Sequence, residues 1–128
     1  MDTKFINKSI CFLGDSITEH GHYLYDIRSY FHNKPEKVFV HNCGTGGNRA
    51  IMAQYILDKE IEVYNPDFVV ISFGVNDMGV QNYRDNPTDD NLSAREQSRQ
   101  RHLDGTVRLV KALIEKKHSR HTLLIRRT

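Results

Sequence analysis

A serine, a glycine and an asparagine lie in three short turns of the sequence, and together they could carry out acyl chemistry. Ser16, Gly47 and Asn76 each follow an apolar run by a few residues. A serine hydroxyl becomes a nucleophile once a base removes its proton. A glycine N–H and an asparagine amide can donate hydrogen bonds to the negative oxygen that forms on an attacked carbonyl. We therefore predict that Ser16 attacks, while its own N–H, the Gly47 N–H and the Asn76 side chain stabilise the oxyanion.

The turn that contains Ser16 also has a purely structural interpretation. It follows the apolar run 10–13 and precedes a helical pattern, so Ser16 lies between a predicted strand and a predicted helix. Gly14 is expected to supply backbone freedom there. Asp15 and Asp77 are expected to hold their turns through hydrogen bonds to backbone amides. Because Asp and Ser are ordinary N-cap residues, this segment alone leaves Ser16 as either a nucleophile or a helix cap.

Strands and helices alternate along the whole sequence. Apolar runs predict four strands near residues 9–13, 38–43, 68–73 and 121–126, and the third run is apolar almost throughout, as in a central buried strand. Helical patterns lie between the strands. This order predicts right-handed βαβ units and a mainly parallel sheet. The three turns then meet at the carboxyl edge of the sheet, where such folds bind ligands.

The spacing of apolar residues predicts one apolar side for each helix. In the first helix this side consists of Tyr23, Leu24, Ile27, Tyr30 and Phe31. The second helix is predicted over Arg49–Val63, with one side formed by Ile51, Tyr55 and Ile56. The third is predicted to begin at a capping box, Ser93–Glu96, and to carry on one side Leu103, Val107, Val110 and Ile114. The polar segment 78–92 is predicted to be a loop, either one wall of a substrate site or a solvated linker.

Composition argues against several classes of protein. The 128 residues include 18 basic and 16 acidic side chains, a formal net charge of +2 and no basic block, so we expect no nucleic-acid partner. No apolar run reaches membrane-spanning length and the N-terminus lacks a signal peptide's apolar stretch, so one cytoplasmic domain over residues 1–128, without membrane contact, is expected. Cys11 and Cys43 lie in predicted strands and are expected to be buried thiols. No metal-binding spacing occurs, and no cofactor is expected.

The three turns resemble the sequence blocks of the SGNH hydrolases, also called the GDSL lipase and esterase family. Segment 14–18, Gly-Asp-Ser-Ile-Thr, is similar to the first block, with Ser16 at the nucleophile position. Segment 42–47 is similar to the second, with Gly47 as an oxyanion donor, and Gly-Val-Asn-Asp at 74–77 is similar to the third. The resemblance covers essentially the whole chain. It implies a three-layer α/β/α, flavodoxin-like fold with strand order 2-1-3-4-5, and hydrolysis of small-molecule esters or thioesters, such as acyl groups on lipids or sugars, without a cofactor.

The sequence departs from this family at the last block, Asp-x-x-His, which supplies the general base and the aspartate that orients it. None of the seven histidines lies in such a block. His102 and Asp104 have the reverse order, and His20, four residues after Ser16, is a less favoured base. We therefore interpret the chain as an SGNH-like domain that lacks its C-terminal part, with strand order 2-1-3-4, the fifth strand absent and catalysis impaired. An uncovered fourth strand would also favour self-association through the sheet edge.

A non-catalytic function is the alternative. Turns rich in N–H groups at the edge of a flavodoxin-like sheet also hold anions such as phosphate, and the missing base favours a binding domain. A nucleotide or a flavin is a poor candidate ligand, because Gly-Thr-Gly-Gly-Asn at 44–48 matches neither a Walker loop nor Gly-x-Gly-x-x-Gly. The sequence therefore leaves two classes open, a serine hydrolase and a domain that binds an anion or another ligand.

Overall fold

Parallel strands form a single sheet at the centre of the molecule. The computed structural model describes residues 5–116 and 122–125. Its strands are β1 (Lys8–Gly14), β2 (Val38–Gly44), β3 (Phe68–Ser72) and β4 (Thr122–Ile125). They pair in parallel in the order β2-β1-β3-β4, so the predicted positions, direction and order are confirmed. Residues 121 and 126, the ends of the predicted fourth strand, lie outside the described residues, and self-association through β4 stays a prediction.

Five α-helices are found within the described ranges. They are α1 (Ser16–Glu19), α2 (His22–His32), α3 (Ala50–Ala53), α4 (Val75–Met78) and α5 (Asp89–Lys116). Two 3₁₀ turns, Gln54–Ile56 and Val80–Asn82, and one π turn, Asp58–Glu62, lie between them. In the part of the chain that the structure describes, no helix combines the length and apolar composition needed to cross a membrane.

Helices cover both faces of the sheet. Neighbouring side chains of β1 point to opposite faces and therefore contact different helices. Cys11 and Leu13 are completely buried in a core that also contains residues of α3 and α5. The ring of Phe12, between them, lies 5.9 Å from the ring of Tyr23 in α2. The three-layer α/β/α fold is therefore confirmed. Cys11 and Cys43 are both buried thiols, as predicted.

The long helix α5 buries a different side from the one that its apolar spacing predicted. Its buried residues are Ser98, Gly105, Leu109 and Leu113. By contrast, Leu103, Val107 and Ile114 are between 43% and 64% exposed, and of the predicted side Val110 alone packs against the core, partly buried. A Cβ on Gly105 would lie 2.5 Å from the backbone nitrogen of Ile51, so the backbones of α3 and α5 approach each other at this glycine. Backbone contact at a glycine sets the rotation of the helix, and hydrophobic spacing does not reveal it.

Helix α5 also begins before its predicted start. Thr88 Oγ1 accepts the Asn91 N–H at 3.2 Å, and the Thr88 N–H donates to Asn91 Oδ1 at 3.1 Å. This reciprocal cap precedes the first helical residue, Asp89. The predicted capping box at Ser93–Glu96 is wrong because Ser93 lies inside the helix, and the segment 78–92 is a loop only in part.

The predicted second helix is helical but not regular. Its α, 3₁₀ and π turns follow one another from Ala50 to Glu62, and the side chains that enter the core are Ala50, Ala53, Leu57 and Ile61. Tyr55, on the predicted apolar side, is 78% exposed. In α2 the predicted side is right for Leu24, which is 1% exposed, and wrong for Tyr30, which is 52% exposed. Small side chains face the core in α3 because α5 lies so close to it.

Candidate functional site

The first turn holds Ser16 at the start of α1, but Asp15 caps this helix. Asp15 Oδ1 accepts the Ile17 N–H at 2.9 Å, and Asp15 is 2% exposed. The prediction that Asp15 holds the turn is confirmed, and the interpretation of Ser16 as the helix cap is wrong because the cap position is occupied. Among the described residues, none forms a hydrogen bond with the Ser16 hydroxyl. The Ser16 hydroxyl therefore has no structural role among the described residues.

Two glycines allow α1 to lie directly against the strand ends. A Cβ on Gly14 would lie 2.1 Å from Thr18 Oγ1 and 2.7 Å from the Ser72 carbonyl oxygen. A Cβ on Gly44 would lie 2.2 Å from a backbone nitrogen of α1. Gly14 has no positive φ, so the prediction that it supplies backbone freedom is wrong. A glycine is needed there because Thr18 and the Ser72 carbonyl lie too close for a Cβ. The helix that begins at the nucleophile candidate is therefore packed against the ends of β1 and β2.

The second turn exposes Gly47 to open space. The Asn48 N–H donates to the Thr45 carbonyl at 3.1 Å, and Gly47 has a φ of 73°. This left-handed conformation favours glycine at the third position of a turn. No heavy atom of the described residues lies within 4 Å of the point that a Gly47 Cβ would occupy. A ligand can therefore approach this turn closely.

Asn76 connects the third turn to the second. Its Nδ2 donates to the Asn48 carbonyl at 3.0 Å, which brings the side chain beside the turn that contains Gly47. An amide nitrogen carries two N–H groups, so one remains for another acceptor. Gly74, with a φ of 153°, turns the chain from β3 into α4, the short helix on which Asn76 lies. The predicted proximity of Asn76 to the second turn is thus present.

The sheet register brings the first turn to the same edge. Gly14 faces Gly44 in β2 and Ser72 in β3, so the three turns leave neighbouring strands at one level. The N–H of Thr45 also donates to the Gly14 carbonyl at 3.0 Å, which joins the first two turns directly. The convergence of Ser16, Gly47 and Asn76 on one substrate oxygen stays a prediction.

Asp77 carries a carboxylate that is almost completely buried. Its side chain is 3% exposed, and its Oδ2 lies 3.4 Å from His102 Nδ1 in α5. Both atoms are buried, and within residues 5–116 neither has a hydrogen-bond partner. The prediction that backbone N–H groups donate to this carboxylate is wrong, because none of the described residues does so. Asp77 instead faces α5 and links the short helix of Asn76 to it.

The histidines near the site have neighbours other than Ser16. The His20 ring is 80% exposed and lies 3.6 Å from a Glu19 carboxylate oxygen. His41 lies in β2, where burial and then the charge of Arg28 lower the pKa of its imidazole. Across the described ranges, no histidine forms a hydrogen bond with the Ser16 hydroxyl, so no base is placed for it there.

A polar cleft of about 110 Å³ opens beside Asn76. Gly79, Gln81 and Asn82 line it, so the first part of segment 78–92 forms a wall. Ser98 and two arginines, Arg49 and Arg101, line it from α5 and from the residue before α3. Sequence reasoning missed these arginines. Arg49 directly follows the glycine-rich turn, which was a usable signal, but nothing in the sequence connects it to Arg101.

The sequence as a whole places the chain in a family. The model of the GDSL-like lipase/acylhydrolase family matches residues 12–125. The chain belongs to this family. The match covers all three turns, and the SGNH resemblance drawn from them is confirmed.

Solved structures share the fold of this GDSL-family chain. A gut microbial diltiazem-metabolizing enzyme has a TM-score of 0.78 and 28% identity, over 92% of this chain and 26% of the enzyme. Axe2, an acetylxylan esterase from Geobacillus stearothermophilus, has a TM-score of 0.63 and 20% identity, over 94% and 59% of the two chains. The acetyl xylan esterase AlAXEase has a TM-score of 0.56 and 21% identity, over 91% and 56%. The chain thus spans 26% to 59% of the length of these proteins. A search of curated proteins gave no significant match.

Proposed function

We propose that this GDSL-family chain is a serine hydrolase of carboxylic esters or thioesters, with Ser16 as its nucleophile. The observation that carries the proposal is the hydrogen bond from Asn76 Nδ2 to the Asn48 carbonyl, 3.0 Å long. It holds an amide donor beside the exposed Gly47 turn, at the sheet edge from which Ser16 also emerges. Since Asp15 caps α1, the Ser16 hydroxyl is free to react.

The proposed reaction follows the usual course of acyl transfer. Ser16 Oγ attacks the carbonyl carbon while a base accepts the hydroxyl proton, and the carbonyl oxygen becomes negative. The Ser16 N–H, the Gly47 N–H and the second Asn76 N–H donate to this oxygen, which lowers the barrier. Collapse of the tetrahedral intermediate breaks the ester bond, and the leaving group takes up a proton. Water then hydrolyses the acylated serine.

The base determines how fast this reaction runs. General base catalysis contributes about 10²- to 10⁴-fold, and the sequence contains no Asp-x-x-His to supply it. In serine proteases, the oxyanion hole and binding alone still give roughly 10³- to 10⁴-fold over water when a triad member is removed. We therefore expect the 128-residue chain to hydrolyse activated aryl esters weakly and unactivated sugar or lipid esters hardly at all.

A serine-reactive fluorophosphonate probe tests the proposal directly. We expect the probe to label Ser16, and both labelling and the hydrolysis of an aryl acetate to disappear in Ser16→Ala. Ser93→Ala, an exposed serine in α5, is the matched control and should keep both. Equal labelling of the chain and of its Ser16→Ala variant would show that the nucleophile is wrongly assigned. Phosphate binding without any labelling would favour the anion-binding alternative.

A further inference from the structure

We propose that the cleft beside Asn76 is an anion subsite, and that the ester hydrolysed by this chain carries a carboxylate, sulfate or phosphate group that binds there. The substrate part of this inference rests on the proposed function. The anion site itself does not, because it depends only on the residues that line the cleft.

Two arginines of the cleft have no acidic partner in the part of the chain that the structure describes. The Arg101 guanidinium makes one long contact, 3.3 Å, with Ser98 Oγ. The Arg49 guanidinium has no hydrogen-bond or ion-pair partner among residues 5–116. Arg99, on the same helix, is by contrast held by Glu96 with hydrogen bonds of 2.6 and 2.9 Å. The charges that point at the cleft are therefore available to a ligand.

The remaining polar groups of the cleft suit an oxyanion. The Gln81 and Asn82 amides can donate hydrogen bonds, as can the Ser98 hydroxyl. Asp77 is the one carboxylate among the lining residues, but its side chain is 3% exposed and its Oδ2 faces His102. The cleft thus has two guanidinium groups and one carboxylate, which is buried beside His102. It therefore favours negative charge.

The size of the cleft suits a small anionic group. A volume of about 110 Å³ accommodates a carboxylate, sulfate or phosphate, since one water occupies roughly 30 Å³ in the liquid. Guanidinium groups bind these planar or tetrahedral oxyanions with paired N–H donors. Because Asn76 lines the cleft and is also a proposed oxyanion donor, the bound group lies within a few bonds of the reacting carbonyl. The substrate class is therefore a short ester with an anionic acyl or alcohol part.

Paired aryl esters test the substrate assignment. The p-nitrophenyl hemisuccinate carries a carboxylate, and p-nitrophenyl butyrate is a neutral ester of similar length. At low ionic strength we expect a higher kcat/KM for the hemisuccinate. We expect the ratio of the two kcat/KM values to fall by roughly 10-fold in Arg49→Gln and in Arg101→Gln, since each variant removes a charged hydrogen bond. Arg99→Gln removes one charge from the same helix and should keep the ratio.

A binding measurement separates failure of the subsite from failure of the proposed enzyme. Calorimetric titration of the Ser16→Ala chain with inorganic sulfate needs no turnover. Sulfate binding that weakens in Arg49→Gln and Arg101→Gln, but not in Arg99→Gln, supports the anion site even if the chain hydrolyses no ester. The same binding with equal rates for both esters would assign the cleft to a free anion and overturn the substrate class. Absence of sulfate binding, together with equal rates for both esters, would overturn the proposal entirely.

Discussion

The first and third turns at the sheet edge are held in place by opposite means. Around Ser16, backbone lies against backbone, and neither Gly14 nor Gly44 has room for a Cβ. Around Asn76, one side-chain hydrogen bond of 3.0 Å and the contact of the buried Asp77 carboxylate with His102 hold the chain in place. The nucleophile's position is thus set by close packing, whereas the donor's position is set by polar contacts that can be removed singly.

Removing the Asn76 amide should have the largest effect, because it acts on the transition state. We expect Asn76→Ala to lower kcat for an aryl acetate by about 10²- to 10³-fold, as the loss of one oxyanion donor does elsewhere. Loss of its hydrogen bond to Asn48 should cost only about 1 kcal/mol of the free energy of unfolding. Asn33→Ala, an exposed residue after α2, is the control for both measurements. A variant with unchanged kcat would remove Asn76 from the oxyanion hole.

Adding one methyl group to the packed turn should have the next largest effect. Gly14→Ala places its Cβ against Thr18 Oγ1 and the Ser72 carbonyl, and we expect it to lower the free energy of unfolding by about 3 kcal/mol. Denaturation by urea measures this loss. Gly46→Ala is the control, because its Cβ meets only the flexible end of Glu19, at 2.9 Å, and it should cost less than about 1 kcal/mol. Similar losses in both variants would contradict the packing argument.

Breaking the contact between Asp77 and His102 should have the smallest of the three effects. In a double-mutant cycle with Asp77→Ala and His102→Ala, we expect a coupling energy of roughly 1 to 2 kcal/mol, since either single change already removes the contact between Asp77 Oδ2 and His102 Nδ1. The pairing of Asp77→Ala with His22→Ala, an exposed histidine in α2, should give a coupling energy near zero. Additive losses in the first cycle would mean that the 3.4 Å contact does not stabilise α4.

Local signals in the sequence predicted the strands and the turns. Four apolar runs define the sheet, and the glycine-rich and Gly-x-Asn-Asp turns mark the edge where the candidate site lies. The rotation of α5 was not predictable because it depends on one contact between Gly105 and the backbone of Ile51. The same limit applied to the site. Asp15 and Asn76 follow from short motifs, whereas the contact of Asp77 with His102 joins residues that are distant in the sequence.

The contact between α1 and the strand ends also has a consequence for local unfolding. The Thr45 N–H donates to the Gly14 carbonyl where β1 and β2 end, so its exchange with solvent deuterium requires the ends of these two strands to separate. The Asp77 N–H donates to the Gly74 carbonyl inside a single helical turn, and its exchange requires only that α4 unwinds. We therefore expect the two sides of the site to open separately, with faster exchange of the Asp77 N–H than of the Thr45 N–H. On this expectation Ser16 is positioned in nearly every folded molecule, and the stability of one four-residue helix sets the fraction in which Asn76 is also positioned.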